Sequence, residues 1–430
     1  MKPARRTPGT TRKLFALSLS IALAMSGVGI ILPVVPSHIG RLGLASASTE
    51  QVALHVSLLA AGYALMQLLL APLWGRLSDS LGRRPLLAMG LIGFAVGQAL
   101  CGVATSLLTL YAIRLGTGIF SAAIIPAAFA FVADTTSDED RTRGMAHLSA
   151  AAGIGFVIGP AIGGLLGGIE HSASGLPIAN YSLPFFAAAG CALLALLTLR
   201  WLEEPAIPAA AQRPGRRGWT DLARRIRLPL AVAMVGQVAV ALFETTFALH
   251  ARTDLGMGLV EIGGLFMVCG LMMLVVQLVA VARLARRFGE VQLASAALAL
   301  MGLSLALLAL ARSTAIVFAL VASYGIGMAL LAPAVSTLVS RRGGAHAVAA
   351  LGLESSAKSL GQIAGPVLGG VLFAASVAVP FWLVSGLLLC LAPIFAWSGR
   401  RTHEPPSSRA ARQPRVSQAG GQMNMTGDAP

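Results

Sequence analysis

Twelve apolar runs, separated by short polar breaks, dominate the chain and leave few folds open to it. They cover about residues 14–36, 53–74, 85–105, 107–133, 144–168 and 182–202, and then 228–250, 259–282, 291–311, 313–339, 347–372 and 378–398. A bilayer core is about 30 Å thick and a helix rises about 1.5 Å per residue, so about twenty apolar residues cross it. In lipid every backbone polar group needs an internal partner, which a helix supplies. The runs therefore predict an all-α membrane protein with twelve transmembrane helices. Composition supports this: 56% of the 430 residues are hydrophobic, 11% are charged and the mean hydropathy is +0.78, outside the range of soluble domains. The 48 glycines and the low aromatic content of 6% suit closely approaching membrane helices and leave no large folded ectodomain.

The net charge of +15 and pI near 11.1 raise the question of a nucleic-acid partner. The location of the charges answers it. With the N-terminus in the cytoplasm, the tails and even-numbered loops carry 27 of the 32 Lys and Arg, against Arg41, Arg252 and Arg312 on the opposite side. This positive-inside asymmetry predicts cytoplasmic termini, an uncleaved first helix and a bacterial-type inner membrane as the location. The basic balance is then topology with some attraction to anionic membrane lipid, and nucleic acid is excluded as a partner. Cys101, Cys191, Cys269 and Cys390 lie in apolar runs without CxxC spacing, so neither a disulfide framework nor a metal site is expected. No Walker A, HExxH or GxGxxG run is present, which disfavours an ATP-driven pump or a metalloprotease and points away from an enzyme and from any cofactor.

The one long polar interruption, 203–227, reads as a cytoplasmic linker. It divides a six-helix bundle over 14–202 from a second over 228–400, flanked by a basic segment 1–13 and a disordered tail 401–430. An internal repeat supports two pseudo-symmetric halves. Gly155-Phe156-Val157-Ile158-Gly159-Pro160-Ala161-Ile162-Gly163-Gly164 returns 206 residues later as Gly361-Gln362-Ile363-Ala364-Gly365-Pro366-Val367-Leu368-Gly369-Gly370. At an offset of 207, Gly118 and Pro126 meet Gly325 and Pro333, and Gly82 meets Gly289. The copies are an even number of helices apart, so the halves are parallel repeats with a cavity expected between them.

Three runs carry a family resemblance. Gly75-Arg76-Leu77-Ser78-Asp79-Ser80-Leu81-Gly82-Arg83-Arg84 resembles the loop 2–3 signature of the major facilitator superfamily, Gly155 to Gly164 resembles the helix-5 signature of its antiporters, and Leu110-Tyr111-Ala112-Ile113-Arg114-Leu115-Gly116-Thr117-Gly118 resembles its helix-4 signature. Thr117 stands where that last signature usually has Gln. The resemblance, to the drug:proton antiporter branch with twelve helices, implies a gate at the inner mouth built by Gly75, Asp79, Gly82, Arg83 and Arg84. In it Asp79 holds the gate shut through a contact with a helix terminus, and two glycines permit a tight turn. It implies an antiporter helix in which Gly155, Gly159, Gly163 and Gly164 form a flat face and Pro160 bends the backbone, and a role for Arg114 in proton coupling.

Charges inside a membrane span are costly and are functional candidates by default. Besides Arg114 they are Glu244, Glu354 and Lys358. Glu354 and Lys358, four apart, share a helix face and can neutralise each other locally or belong to the transport site. Glu244 has no opposite charge at helical spacing, which favours a solvated cavity position or a protonated state. Gln67, Gln98, Gln237, Gln277 and Gln362 are equally able to glue helices or to line a cavity. The resemblance implies a monomeric, proton-coupled exporter of a small molecule working by alternating access, with small-molecule substrate and protons as its partners. A uniporter or symporter for a sugar or other metabolite would share the fold, and a non-transporting receptor is a remote alternative.

Overall fold

A computed structural model describes residues 8–42, 48–136, 138–172, 181–204, 216–373 and 375–402. The N-terminal 1–7, the middle of the linker (205–215) and the tail 403–430 lie outside the described residues. Among those described, all regular structure is helical. Twelve long helices run α1 (Pro8–Ile31), α2 (Thr49–Leu81), α3 (Arg83–Gly102), α4 (Leu107–Thr135), α5 (Asp138–Ser172), α6 (Leu183–Thr198), α7 (Arg216–Thr253), α8 (Leu259–Val279), α9 (Glu290–Leu308), α10 (Thr314–Gly343), α11 (Ala347–Phe373) and α12 (Val379–Thr402). Eleven of them contain a stretch long and apolar enough to cross a membrane. The twelfth, α11, has 27 residues and is the helix that carries Glu354 and Lys358.

Local chemistry sets the ends. Ser48 and Gln51 close a capping box at the start of α2, and Ser106 accepts from the Thr109 amide at the start of α4. Helix α4 is interrupted at Ala122 and Ala123, where the ring of Pro126 meets the carbonyl of residue 122 and its missing N–H removes a hydrogen bond.

Two expectations are corrected here. Gly75 does not turn the chain: α2 runs through it to Leu81, and only Gly82 does so, with φ of +100°, as does its repeat counterpart Gly289 at +79°. The linker is shorter than read, because α7 already begins at Arg216 and absorbs the basic residues before the apolar run.

The buried apolar side chains gather in separate cores. One is drawn wholly from α7 to α12, with Phe243 stacked on Phe247 at 4.7 Å and against Tyr324 at 4.7 Å; the others in the first six helices are built around residues such as Ile21, Phe94 and Phe131, and Ile30 and Phe185. A small cluster of Ala53, Leu249 and Phe373 joins the two sets at one end of the bundle.

The glycine runs explain how the helices approach so closely. A Cβ on Gly155 would lie 2.2 Å from the Ala22 carbonyl oxygen, and on Gly159 2.5 Å from that of Ser26, so α5 rests on the backbone of α1. In the second half a Cβ on Gly361 or Gly365 would lie 2.5 or 2.6 Å from the carbonyl oxygens of Met234 and Val238, so α11 rests on α7 in the same way. Helix propensity alone would favour Ala over Gly by about 1 kcal/mol, so close approach is what these glycines provide. The last pair divides its work. Gly163 faces Ile30 within its own half, whereas Gly164 faces Leu259 and Gly263 of α8, across the division between halves. Gly370 of α11 likewise faces Ser57 of α2.

Candidate functional site

A cavity lies between the halves at mid-depth. Its two adjoining compartments share Ile31, Leu32, Ala60, Arg114, Glu244 and Thr245. Two of the intramembrane charges singled out in the sequence therefore meet at one place, Arg114 from α4 and Glu244 from α7. One compartment is walled by apolar groups, including Ile39, Val56, Leu59, Leu110 and Phe185. The other adds Tyr63, Phe94, Gln98 and Gln362. The Arg114 guanidinium sits over the Tyr63 ring at 4.7 Å, a cation–π contact that holds the charge in place while leaving its N–H groups for other partners. Glu244 and Arg114 are both half-buried, open to the cavity and otherwise enclosed by helix. A carboxylate and a guanidinium on opposite walls can bind a polar or ionic group between them, and a proton on the carboxylate changes that binding.

The remaining pair of intramembrane charges is placed elsewhere. Lys358 Nζ lies 2.6 Å from Glu354 Oε1, one turn away on α11, and Ser336 of α10 donates to the same oxygen at 2.6 Å. Glu354 is buried and lines neither compartment of the cavity. Breaking such a pair leaves an uncompensated buried carboxylate, costing toward the lower end of about 3–5 kcal/mol because the lysine is partly exposed. Lys358→Ala should therefore lower the amount of folded protein, measured by thermal unfolding in detergent, while transport per folded molecule stays unchanged.

At the end of the bundle opposite the Ala53–Leu249–Phe373 cluster, Gly82 and its neighbours form a compact polar knot. Arg83 is buried, its Nε 2.8 Å from Asp134 Oδ2 at the end of α4 and one terminal nitrogen 2.6 Å from Ser78 Oγ. The carboxylate of Glu204 accepts from the Arg83 amide and, at 2.9 Å, from the Arg84 amide, which caps the N-terminus of α3. An exposed carboxylate there is worth about 0.3–1 kcal/mol. Gly75 is exposed, and the Asp79 side chain lies outside the described residues. Asp134 and Glu204 were not singled out from the sequence; each is an ordinary acidic residue at a helix end until the fold brings it to Arg83. The ion pairs at this end, Lys13 with Glu203, Arg83 with Asp134 and Arg341 with Glu290, each stay within one half.

At the other end the halves touch. Arg252 of α7 donates to Ser37, which follows α1, Gly164 packs against the backbone of Gly263, and Gly370 packs against the Ser57 side chain. The bundle is closed at that end.

Two bundles around a mid-depth cavity, closed at one end and with opposite charges on its walls, define a membrane transporter. The chain belongs to the Major Facilitator Superfamily, whose profile matches residues 17–353 and 273–423. It is 31% identical over 391 residues to Multidrug resistance protein 1 of Bacillus subtilis (strain 168), covering 89% of this chain and 96% of that protein. It is 33% identical over 406 residues to the class C Tetracycline resistance protein of Escherichia coli, covering 88% and 96%. Among solved structures, the fold is shared with a bacterial homolog of the human lysosomal transporter Spinster in an inward-facing, unoccupied conformation, with a TM-score of 0.72, 17% identity and coverage of 93% and 98%. It is also shared with the human organic anion transporter MFSD10, with a TM-score of 0.67, 23% identity and coverage of 91% and 100%.

Proposed function

We propose that this chain is a proton-driven exporter of amphipathic, drug-like molecules. The reading rests above all on the convergence of Arg114 and Glu244, from opposite halves, on one cavity. A protonatable group and a binding site that share a cavity can compete, which is what exchange of a proton for a substrate requires. The names of the multidrug and tetracycline resistance relatives supply the kind of cargo.

In this reading the excess of positive charge at the Gly82 end places that end in the cytoplasm, so the closed Ser37 end faces outward. Substrate enters from inside, and Glu244 loads a proton once the cavity faces out, which releases the substrate. Arg114 tunes the proton site, and the pair Glu354 and Lys358 holds α11 together. The motif from Gly75 to Arg84 braces the inner mouth, with Asp79 acting when the halves approach there. Helices α1 to α6 and α7 to α12 move as two bodies, as a monomer in the inner membrane with anionic lipid around its basic loops. Alkaline phosphatase fused after Arg415 should accordingly stay inactive in intact cells, and strong activity there would refute the orientation.

Expression in a bacterium lacking its main efflux pumps tests the function. Cells should accumulate less tetracycline or fluoroquinolone, and a protonophore should abolish the difference. Faster equilibration of the drug across the membrane with no lowering of its final level, unaffected by the protonophore or by pH, would instead favour the uniporter.

A further inference from the structure

The amides at membrane depth are not alike. Gln67 donates to Ser121 Oγ at 3.2 Å, and Gln237 donates to Gln362 at 2.6 Å, so these three act as glue between helices. Gln98 of α3 differs. It is 0% exposed, it lines the polar compartment of the cavity, and among the described residues neither its Oε1 nor its Nε2 has a hydrogen-bond partner. Thr117, whose hydroxyl lies beside the neighbouring Gly97, is already bonded to the Ile113 carbonyl at 2.7 Å. No other residue lining the cavity carries such unpartnered buried atoms.

A buried amide without partners is costly and rare, and a cavity wall is a place where a ligand can satisfy it. The side chain presents an acceptor and donors in one plane. Its complement is a planar edge with a donor beside an acceptor, as in a carboxamide or a hydroxyl conjugated to a neighbouring carbonyl. Phe94, one turn before Gln98 on α3, lines the same compartment, and the adjoining compartment offers an apolar wall that includes Phe185 and Leu110.

We propose that Gln98 is a specificity-determining residue, which hydrogen-bonds a carboxamide or hydroxy-carbonyl edge of the substrate and so selects molecules bearing one over planar cations that lack it. This rests on the export reading and names the substrate class of the same cavity. Removing the amide removes discrimination for that edge and spares a substrate held by its charge and ring alone.

The test uses full-length protein in proteoliposomes under an imposed pH gradient, with two probes. Tetracycline carries a carboxamide and hydroxy-carbonyl edges on fused rings; ethidium is a planar aromatic cation with no carbonyl. Gln98→Leu and the near-isosteric Gln98→Met should each lower kcat/KM for tetracycline about tenfold or more while leaving ethidium transport and thermal stability as in wild type. Should the Leu variant misfold, the Met variant decides. Equal loss of both probes in a folded Met variant, or no loss of either, would overturn the assignment. So would wild-type protein that pumps ethidium and ignores tetracycline, with the export reading left standing. Wild-type protein that pumps neither would overturn both together.

Discussion

Accumulation of drug against its gradient is expected to fall to background in a Glu244→Gln variant, while exchange of labelled for unlabelled drug continues without any pH gradient. Glutamine resembles the protonated carboxyl in shape and charge, so the coupling group is fixed in its proton-loaded form. The halves can still rock with residue 244 uncharged throughout, which is why exchange survives; net pumping cannot, because no proton is loaded or released. The location of the group is what separates it from the other acid in the membrane. Glu244 opens onto the cavity opposite Arg114, whereas Glu354 is buried beside Lys358 and Ser336. Pumping by the Gln variant at the wild-type rate and with unchanged pH dependence would transfer the coupling role to Glu354 and Lys358.

A second large effect is expected from one side chain added at the seal. A Cβ on Gly164 would lie 2.5 Å from the Leu259 carbonyl oxygen and 3.0 Å from the Cα of Gly263, both on the other half. These are backbone atoms, which no rotamer change can move aside. Gly164→Val should therefore fold, since its neighbours within its own half are not affected, but should be unable to close the Ser37 end. A cysteine placed at Ser57, which faces Gly370 across the same seal, would react with a membrane-impermeant maleimide from outside many times faster than in the otherwise unaltered protein, and export would be lost. Gly163→Val makes the contrast, because its Cβ would lie 1.9 Å from the Ile30 carbonyl oxygen inside the first half. That variant should fail to accumulate in the membrane at all. Equal folding and unaltered maleimide reactivity in Gly164→Val would show that the halves part somewhere else.

Lipid made much of this architecture legible in the sequence. An unpaired backbone group is so costly in hydrocarbon that an apolar run of twenty residues has almost one solution, and twelve such runs with a repeat at 206 leave the two-bundle arrangement. The glycine run was legible for the same reason, because its spacing puts small residues on one helix face whatever lies opposite. The meeting of Arg114 and Glu244 was not, since helical spacing relates residues within one helix and these two are 130 positions apart on helices of different halves. Nor was the separate fate of Gln98, which differs from Gln67 and Gln237 only in what stands across from it. The turn was misplaced at Gly75 because glycine permits a left-handed backbone without requiring one; the helix continued there, and the reversal fell to Gly82, where Glu204 caps the next helix. Arg83 illustrates a further limit. Its partner Asp134 lies at the far end of α4, and nothing in the local sequence distinguishes it from the acids that follow it.

Proton movement driven by substrate tests the central claim most directly. Purified protein would be reconstituted into vesicles with a trapped pH-sensitive dye and no initial gradient, and tetracycline added outside. As drug enters down its gradient, an antiporter sends protons out, so the vesicle interior should become alkaline, and the Glu244→Gln variant should show no change. Acidification of the interior, as a symporter would give, or drug entry with no change of pH, as a uniporter would give, would contradict proton-coupled export.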